Sequence, residues 1–222
     1  MLEVILDTET TGLSTKEKHK IVEIGCVELN NLIPTNKIFH EYINPKRTVS
    51  GEAYKVHGYS DKFLSDKKAF PEIAEEFLNF IKDKKLVIHN ASFDLSFLDY
   101  ELKLANKKPL DRKNVIDTLE LARNKFPGSL VNLDALCKRF RIDNSRRKKH
   151  TALVDCELLS KVYINLIDQK EPTLDFKSAE KEKLNIELDN LKYCKKIVYP
   201  TKVEIENHKQ FLKSSIKKNF FN

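Results

Sequence analysis

Long apolar segments are missing from this sequence of 222 residues. No apolar run approaches the roughly 18 to 20 residues that span a bilayer. Met1 leads within a few residues into Val4, Ile5, Leu6 and Asp7, and not into the basic region and long apolar stretch of a secretion signal. We therefore expect neither a membrane partner nor Sec-type secretion.

Cysteine is sparse, and its positions exclude two further classes of protein. The four cysteines are scattered without a C-x-x-C pair, which argues against a zinc ribbon and against a disulfide scaffold. They are Cys26, Cys137, Cys156 and Cys194. A reducing cytoplasm is the expected location.

Glycine is limited to five residues, all within the first 128. The turn-rich part of the chain is therefore N-terminal, and the later part is expected to be mostly helical. Hydrophobic residues make up 41% of the chain and charged residues 33%, so there is enough apolar material for one sizeable core. A net charge of +7 and a pI near 9.0 favour a polyanion as partner.

Apolar segments with β-branched residues open the chain and predict a sheet. Turns marked by Gly12 and Pro34 separate them, which favours an antiparallel meander, and a loop over residues 51–58 follows. The three predicted strands cover residues 2–6, 21–29 and 38–43.

The next part of the chain alternates between helices and short strands. Apolar residues at helical spacing predict the helices, and short apolar segments predict the strands. The helices cover residues 71–81, 92–104, 117–125, 132–140 and 150–167, and the strands cover 86–88 and 115–116. Strands that alternate with helices pair in parallel. The expected fold class is therefore mixed α/β, with a sheet that begins antiparallel and ends parallel, over residues 1–168.

The pattern weakens from Gln169 onward. Residues 178–191 could form a charged helix, and Thr201 with Glu204 is a capping box that opens a second helix towards Ile216. Neither helix has an obvious core of its own. We expect residues 169–222 to be a helical tail that folds against a partner; a helical extension packed on the domain is the alternative.

Two carboxylates end the first predicted strand. Asp7 and Glu9 share one face of it because side chains alternate with a period of two, and their Cα atoms should be roughly 7 Å apart. Two like charges so close require a cation. An acidic strand end at the surface is the ordinary alternative.

Two further acids lie on predicted helices. Asp94 stands in a first turn and faces the apolar side, although a favourable interaction with the helix dipole would also explain it. Asp155 has Leu158, Leu159 and Val162 on its own stripe, so it faces the core. A lone ionised carboxylate is costly there, so Asp155 must be paired, protonated or bound to a metal.

These acid sites around one core suit hard cations. Mg²⁺ and Mn²⁺ prefer oxygen ligands, and two such ions about 4 Å apart would activate water and stabilise the leaving oxygen of a phosphodiester. His150 precedes Asp155 by five residues, about 140° around an ideal helix. It is therefore expected in the preceding loop, as a general base and not as a metal ligand; a solvated loop histidine is the alternative.

Three motifs, taken in order, resemble those of the DEDDh 3′→5′ exonucleases of the ribonuclease H-like superfamily. They are Asp7–Gly12, His89–Asp94 and His150–Asp155, the last with H-x(4)-D spacing. Over residues 2–168 the chain more closely resembles the proofreading epsilon subunits of bacterial DNA polymerase III. The segments that carry this likeness are Glu52–Gly58, Phe126–Gly128 and Leu133–Cys137.

The resemblance implies roles for individual residues in a two-metal exodeoxyribonuclease that removes mispaired 3′-terminal nucleotides. Two Mg²⁺ or Mn²⁺ ions are expected, with His150 as the base that takes the proton of the attacking water. The expected metal ligands are Asp7, Glu9 and Asp155 for the first ion, Asp7 shared with the second, and Asp94 completing the acidic site. Glu52 and His57 match positions that contact the terminal nucleotide.

Partners follow from the same resemblance. The 3′ end of DNA is one expected partner. The sliding clamp is another, since residues 171–176 look like a clamp-binding motif, although Glu171 stands where glutamine is usual. Residues 198–216 resemble the segment that holds the catalytic alpha subunit of the polymerase. The basic run Arg146–Lys149 could contact phosphates at the edge of the site, and a solvated charge run is the alternative.

Other functions remain open from the residues alone. An Asp after an apolar strand could be the nucleophile of an aspartyl-phosphate phosphatase, although that pattern normally has Asp where Glu9 stands. RNA-directed exonucleases share the three motifs. A non-catalytic scaffold subunit of a polymerase is a third alternative, against which the complete set of acids and His150 argues.

Overall fold

A computed structural model describes residues 1–147, 149–167 and 199–215. The chain divides into two units, Met1–Asp175 and Phe176–Asn222. The boundary predicted at residue 168 lies outside the described residues and stays a prediction, as do the helix over 178–191 and the clamp motif at 171–176.

The first unit is built on a five-stranded mixed sheet. Its strands are β1 Leu2–Thr10, β2 Ile21–Asn30, β3 Ile33–Tyr42, β4 Lys85–Ile88 and β5 Val115–Asp117. The strand order is β3-β2-β1-β4-β5. The β1–β2 and β2–β3 pairs are antiparallel, and the β1–β4 and β4–β5 pairs are parallel. This confirms the predicted change from antiparallel to parallel pairing.

Helices cover both faces of the sheet. The helices of this unit are α1 Gly51–His57, α2 Asp61–Leu64, α3 Phe70–Ile81, α4 Ala91–Leu104, α5 Thr118–Lys125, α6 Leu133–Phe140 and α7 Ala152–Leu166. One core includes Val4 and Leu6 with α3 and α4, and the other includes Ile5 with α6 and α7. Because side chains alternate along β1, Asp7 and Glu9 belong to the α7 face and Thr8 to the α4 face.

β1 extends beyond its parallel neighbour. Only Glu3, Val4 and Ile5 pair with β4, whereas β2 pairs with β1 as far as Thr10. A crevice therefore opens beyond the carboxyl end of β4, where open α/β sheets commonly bind their ligands. The carboxylates of Asp7 and Glu9 lie on this extension.

Two local predictions were wrong. The segment 51–58 is not a loop: Ser50 Oγ accepts a hydrogen bond from the Ala53 amide at 3.1 Å, and this cap begins helix α1, which Gly58 ends at φ 82°. Pro34 lies within β3, and the turn before that strand is made by Asn31 and Leu32, both at positive φ.

The second unit is described as helix α8, Lys202–Ser215. Glu204 Oε2 accepts from the Thr201 amide at 2.7 Å, and the Glu204 amide donates to Thr201 Oγ1 at 3.3 Å, so the predicted capping box is present. Three of its apolar side chains, Val203, Ile205 and Phe211, are exposed. Among the helices with assigned positions, none is long and apolar enough to cross a membrane.

Candidate active site

Asp7 and Glu9 lie in the ladder between β1 and β2. Asp7 is opposite Gly25, and Glu9 is opposite Glu23, so a third carboxylate adjoins the pair. Burial raises the pKa of Glu9 to about 8, with further contributions from Glu23 and Asp155. Burial also raises the pKa of Asp7 well above its ordinary value, with added repulsion from neighbouring acids, Asp94 first among them. Bringing these acids together is therefore costly unless a cation accompanies them.

Asp94 reaches the open edge of β1 from the first turn of α4. Its Oδ1 accepts from the Thr8 amide at 3.0 Å and from Thr8 Oγ1 at 2.7 Å. The carboxylate thus satisfies a backbone donor that β4, which is too short, cannot pair. Asp94 is 3% exposed, and burial raises its pKa to about 7 despite these bonds. The prediction that Asp94 faces the core is confirmed.

Helix α7 packs so closely on β2 that no side chain fits at position 25. A Cβ atom on Gly25 would lie 2.5 Å from the Ala152 carbonyl carbon, so only glycine fits beneath the start of the helix. Glu23 is fully buried, and its Oε2 accepts from the Ala152 amide at 2.9 Å and from the Tyr59 hydroxyl at 2.8 Å. These contacts fix the first turn of α7, which carries Asp155.

Asp155 is buried, as its position on the apolar stripe of α7 predicted, and of the three expected alternatives the structure shows pairing. Its partner is Arg147, whose Nε lies 2.6 Å from Oδ1 and whose Nη2 lies 2.7 Å from Oδ2. Arg147 Nη1 also donates to Asp134 Oδ2 at 2.7 Å. The side chain of Arg147 is only 7% exposed, so the solvated alternative does not hold for this member of the basic run, and a phosphate contact stays a prediction.

His150 lies in the loop before α7, as predicted. Its Nδ1 accepts a hydrogen bond from Arg147 Nη2 at 2.9 Å, because a guanidinium has no acceptor. Burial and the charge of Arg147 lower the pKa of His150, which favours the neutral imidazole. A neutral imidazole is the form that a general base requires.

Glu9, His150 and Asp155 can each direct one ligand atom into a common space. These atoms all lie within 4.8 Å of one another. The group fits a hard cation, because it supplies carboxylate oxygens and one imidazole beside Asp7, whose pKa is raised by burial and by neighbouring acids. The loop before α7 thus brings the His150 ring close to these carboxylates. The expectation that His150 acts as a base and not as a metal ligand stays a prediction.

A cavity of about 670 Å³ adjoins Glu9 and lies between β1 and α1. Glu52 and His57, the residues expected to contact a nucleotide, both line it, together with Leu13 and Phe93. Its size is within the range of small-molecule sites. Its floor includes Gly12, where a Cβ would lie 2.4 Å from the His19 ring, so glycine is required.

Sequence reasoning missed the structural roles of three residues that organise this site. Thr8 holds Asp94, Glu23 joins β2 to α7, and Arg147 engages Asp155 and His150. Glu23 carried a usable signal, since it is an acid inside the apolar run Ile21–Val27 and therefore needs buried partners. No local pattern identifies the partner of Arg147, because Asp155 is eight residues away across a loop.

Comparison with known proteins agrees with this geometry. The RNase T exonuclease family matches residues 4–163. The DNA polymerase III subunit epsilon of Rickettsia felis is 48% identical over 227 residues, with 97% of each chain covered. The chain belongs to the DNA polymerase III epsilon family of exonucleases. Family membership confirms the expected enzyme class, a 3′→5′ exonuclease, and disfavours the phosphatase alternative.

Solved structures support the same fold. Exonuclease X, in complex with 5′-overhanging duplex DNA, is 27% identical with a TM-score of 0.60, and the match covers 75% of this chain and 92% of that one. The nuclease domain of 3′hExo, a DEDDh family member bound to rAMP, is 19% identical with a TM-score of 0.66, covering 76% and 92%. The ribonuclease H-like fold expected from the motifs is thus confirmed.

Proposed function

We propose that this chain is the proofreading subunit of a replicative DNA polymerase and hydrolyses the terminal phosphodiester of a mispaired 3′ end. The observation that carries the proposal is the meeting of Asp7, Glu9, Asp94 and Asp155 at the carboxyl end of β1, beside the 670 Å³ cavity. This arrangement occurs in a chain that is 48% identical to a DNA polymerase III epsilon subunit.

The acids would hold two Mg²⁺ or Mn²⁺ ions. Asp7, Glu9 and Asp155 would bind the first, and Asp7 would share the second. Asp94 would complete the site through Oδ2, since both hydrogen bonds from Thr8 go to Oδ1. When bound, such ions lower the pKa of water and stabilise charge on phosphoryl oxygens. The raised pKa values of Asp7 and Glu9 support this assignment, because cations would relieve the repulsion.

The remaining residues would hold the substrate and the acids in place and would deprotonate the attacking water. His150 would take the proton of the attacking water at a ring nitrogen, which typically contributes about 10²- to 10⁴-fold to the rate. Glu52 and His57 would hold the terminal nucleotide, because both face the cavity next to Glu9. Thr8 would keep Asp94 in place through its two hydrogen bonds.

A length ladder tests the proposal. Full-length protein is incubated with 5′-labelled single-stranded DNA and Mg²⁺, alongside His150→Ala and the control Asp66→Asn, a surface acid whose ion pair is with its neighbour Lys67. We expect stepwise shortening from the 3′ end, about 10²- to 10⁴-fold slower in His150→Ala and unchanged in Asp66→Asn. Absence of shortening with both Mg²⁺ and Mn²⁺ would contradict the proposal.

An RNA strand of the same sequence, run in parallel, tests the RNA-directed alternative. Faster shortening of RNA than of DNA would favour that function. If neither nucleic acid is shortened while the polymerase still binds, the protein is a scaffold subunit.

The second unit would bind the catalytic alpha subunit of the polymerase through about residues 198–216. The exposed apolar side chains on α8, among them Val203, Ile205 and Phe211, support this, because binding would bury them. Co-purification of the full-length Phe211→Asp variant with the alpha subunit should fall sharply, whereas Lys209→Ala should be retained. Retention of Phe211→Asp would show that the segment is misassigned.

Residues 171–176 would bind the sliding clamp. They lie outside the described residues, so the support is the sequence Glu-Pro-Thr-Leu-Asp-Phe alone, with an apolar pair at spacing two. Phe176→Ala should weaken capture by the clamp, and Glu171→Gln should strengthen it. Unchanged capture in both variants would argue against a clamp motif.

A further inference from the structure

Arg147 engages the carboxylate on which the proposed metal site depends. Its Nε and Nη2 donate to the two oxygens of Asp155 at 2.6 and 2.7 Å. This is the two-pronged geometry that makes arginine–carboxylate pairs strong. Both oxygens of a proposed metal ligand therefore already have a cationic donor.

The same guanidinium also controls His150. In the neutral imidazole one nitrogen accepts and the other carries the proton. Since Nδ1 accepts from Arg147 Nη2 at 2.9 Å, the proton of a neutral ring is on Nε2. A ring held in this way has no free lone pair with which to take a proton from water.

A second anchor holds Arg147 in this position. Its Nη1 donates to Asp134 Oδ2, on α6, at 2.7 Å. Asp134 is largely exposed, with a side chain 57% accessible, whereas Arg147 is 7% accessible. The arginine thus spans from an outer carboxylate to the centre of the site.

We propose that Arg147 is a positioning residue that competes with the divalent cation for Asp155 and, while it is bound there, withholds His150 from the reaction. Metal binding through Asp155 Oδ2 would replace the hydrogen bond from Nη2, which is the nitrogen that also donates to His150 Nδ1. Because one group contacts both side chains, release of Asp155 also releases Nδ1 of His150. Metal affinity and availability of the base are thereby linked through one residue. This inference rests on the proposed function.

Calorimetric titration of the chelator-treated full-length protein with Mn²⁺ tests the competition. In Arg147→Met the guanidinium is absent, and we expect Mn²⁺ to bind about tenfold more tightly, as follows from losing one charge-assisted competing bond. Asp134→Asn keeps Arg147 but loosens it, so a smaller tightening is expected. Arg147→Lys, with charge but no fork, should lie between wild type and Arg147→Met.

Thermal unfolding supplies a second readout that does not depend on activity. In chelator, Arg147→Met should unfold at a lower temperature than wild type, because Asp155 loses its cation. Saturating Mn²⁺ should remove most of this difference. A structural role alone would lower the unfolding temperature equally with and without Mn²⁺ and would leave affinity unchanged.

The outcomes separate this inference from the proposed function. Weaker or unchanged Mn²⁺ binding in both Arg147→Met and Asp134→Asn would overturn the competition while leaving the exonuclease assignment intact. Failure of wild type to bind Mn²⁺ would overturn the metal site and the inference together. If Arg147→Met does not fold, Asp134→Asn and Arg147→Lys decide the question.

Discussion

Acidic side chains are buried at both ends of the β1–β2 pair, but the charged groups around them differ. Near the start of β1, Glu28 on β2 is 1% exposed and pairs with Lys84 and Lys37, and Thr35 Oγ1 donates to it at 2.8 Å. Burial alone would raise its pKa, but these partners outweigh burial and lower it. At the far end, burial and mutual repulsion raise the pKa values of Asp7 and Glu9.

The difference shows how to separate a structural acid from a functional one. Glu28 has lysine partners within its own fold, so its ionised form stabilises the protein. Asp7 and Glu9 lie among other acids, and the nearby cation, Arg147, is engaged by Asp155 and Asp134. An ionised cluster of this kind is stabilised only by a cation from solution, which is what a metal-dependent enzyme requires.

The largest expected effect is on catalysis at the far end. Asp7→Asn removes a proposed ligand of both metal ions and should lower the rate of DNA hydrolysis by about 10³-fold or more, since metal catalysis is worth several kcal/mol. Glu28→Gln, at the structural end, should keep the rate. Single-turnover hydrolysis of 5′-labelled DNA measures both, and equal losses would remove the functional distinction between the two ends.

A smaller loss of activity is expected from moving α7. The Cβ of Gly25→Ala would meet Ala152 backbone atoms at 2.5 to 2.8 Å, so the helix must shift and carry Asp155 away from Asp7. We expect about a 10²-fold lower rate and a stability loss of about 1–3 kcal/mol. Gly51→Ala, where a Cβ meets nothing within 4 Å, is the matched control. Wild-type activity in Gly25→Ala would show that α7 placement is not critical.

Neutralising an acid should change the free energy of unfolding differently at the two ends. Glu28→Gln loses charge-assisted bonds to Lys84 and should lower the free energy of unfolding by about 2 kcal/mol. Asp7→Asn in chelator relieves repulsion and should leave that free energy equal or higher. Urea denaturation of both variants measures this, and marked destabilisation by Asp7→Asn would mean that the acid cluster is not repulsive.

The opposite expectation holds for Asp155. Asp155 lies in the same acidic site as Asp7, but it has a cationic partner. Because Asp155 pairs with the nearly buried Arg147, its replacement by alanine should instead destabilise the protein.

The smallest expected effect is on the pH dependence of the protein's stability. The pKa of Glu9 is about 8 when folded and 4.5 ordinarily, so between these values the folded protein holds a proton that the unfolded chain releases. Stability in chelator should therefore fall as pH rises through this window. Thermal unfolding should show a reduced slope in Glu9→Gln and in saturating Mg²⁺. A slope unchanged by Glu9→Gln would assign the titration elsewhere.

Much of the fold followed from local patterns. Apolar segments with β-branched residues located the strands, although β1 ends four residues later and β3 begins five residues earlier than predicted. Helical spacing located α3, α4, α6 and α7 within about two residues. The prediction of a loop over 51–58 was wrong because a short capped helix with exposed apolar residues, such as Val56, has no strong hydrophobic periodicity. The prediction of a turn at Pro34 was wrong because Pro34 lies in β3, an edge strand, and edge strands tolerate proline.

The sequence by itself determined which acids are candidates, because an acid at a strand end or on an apolar helical stripe conflicts with burial, and motif order identified the family. Only the tertiary structure decided their partners. Thr8 with Asp94, Glu23 with Ala152 and Arg147 with Asp155 and His150 are contacts between different segments. Their hydrogen bonds depend on how closely α4 and α7 pack on β1 and β2, and packing distance has no signature in a local sequence pattern.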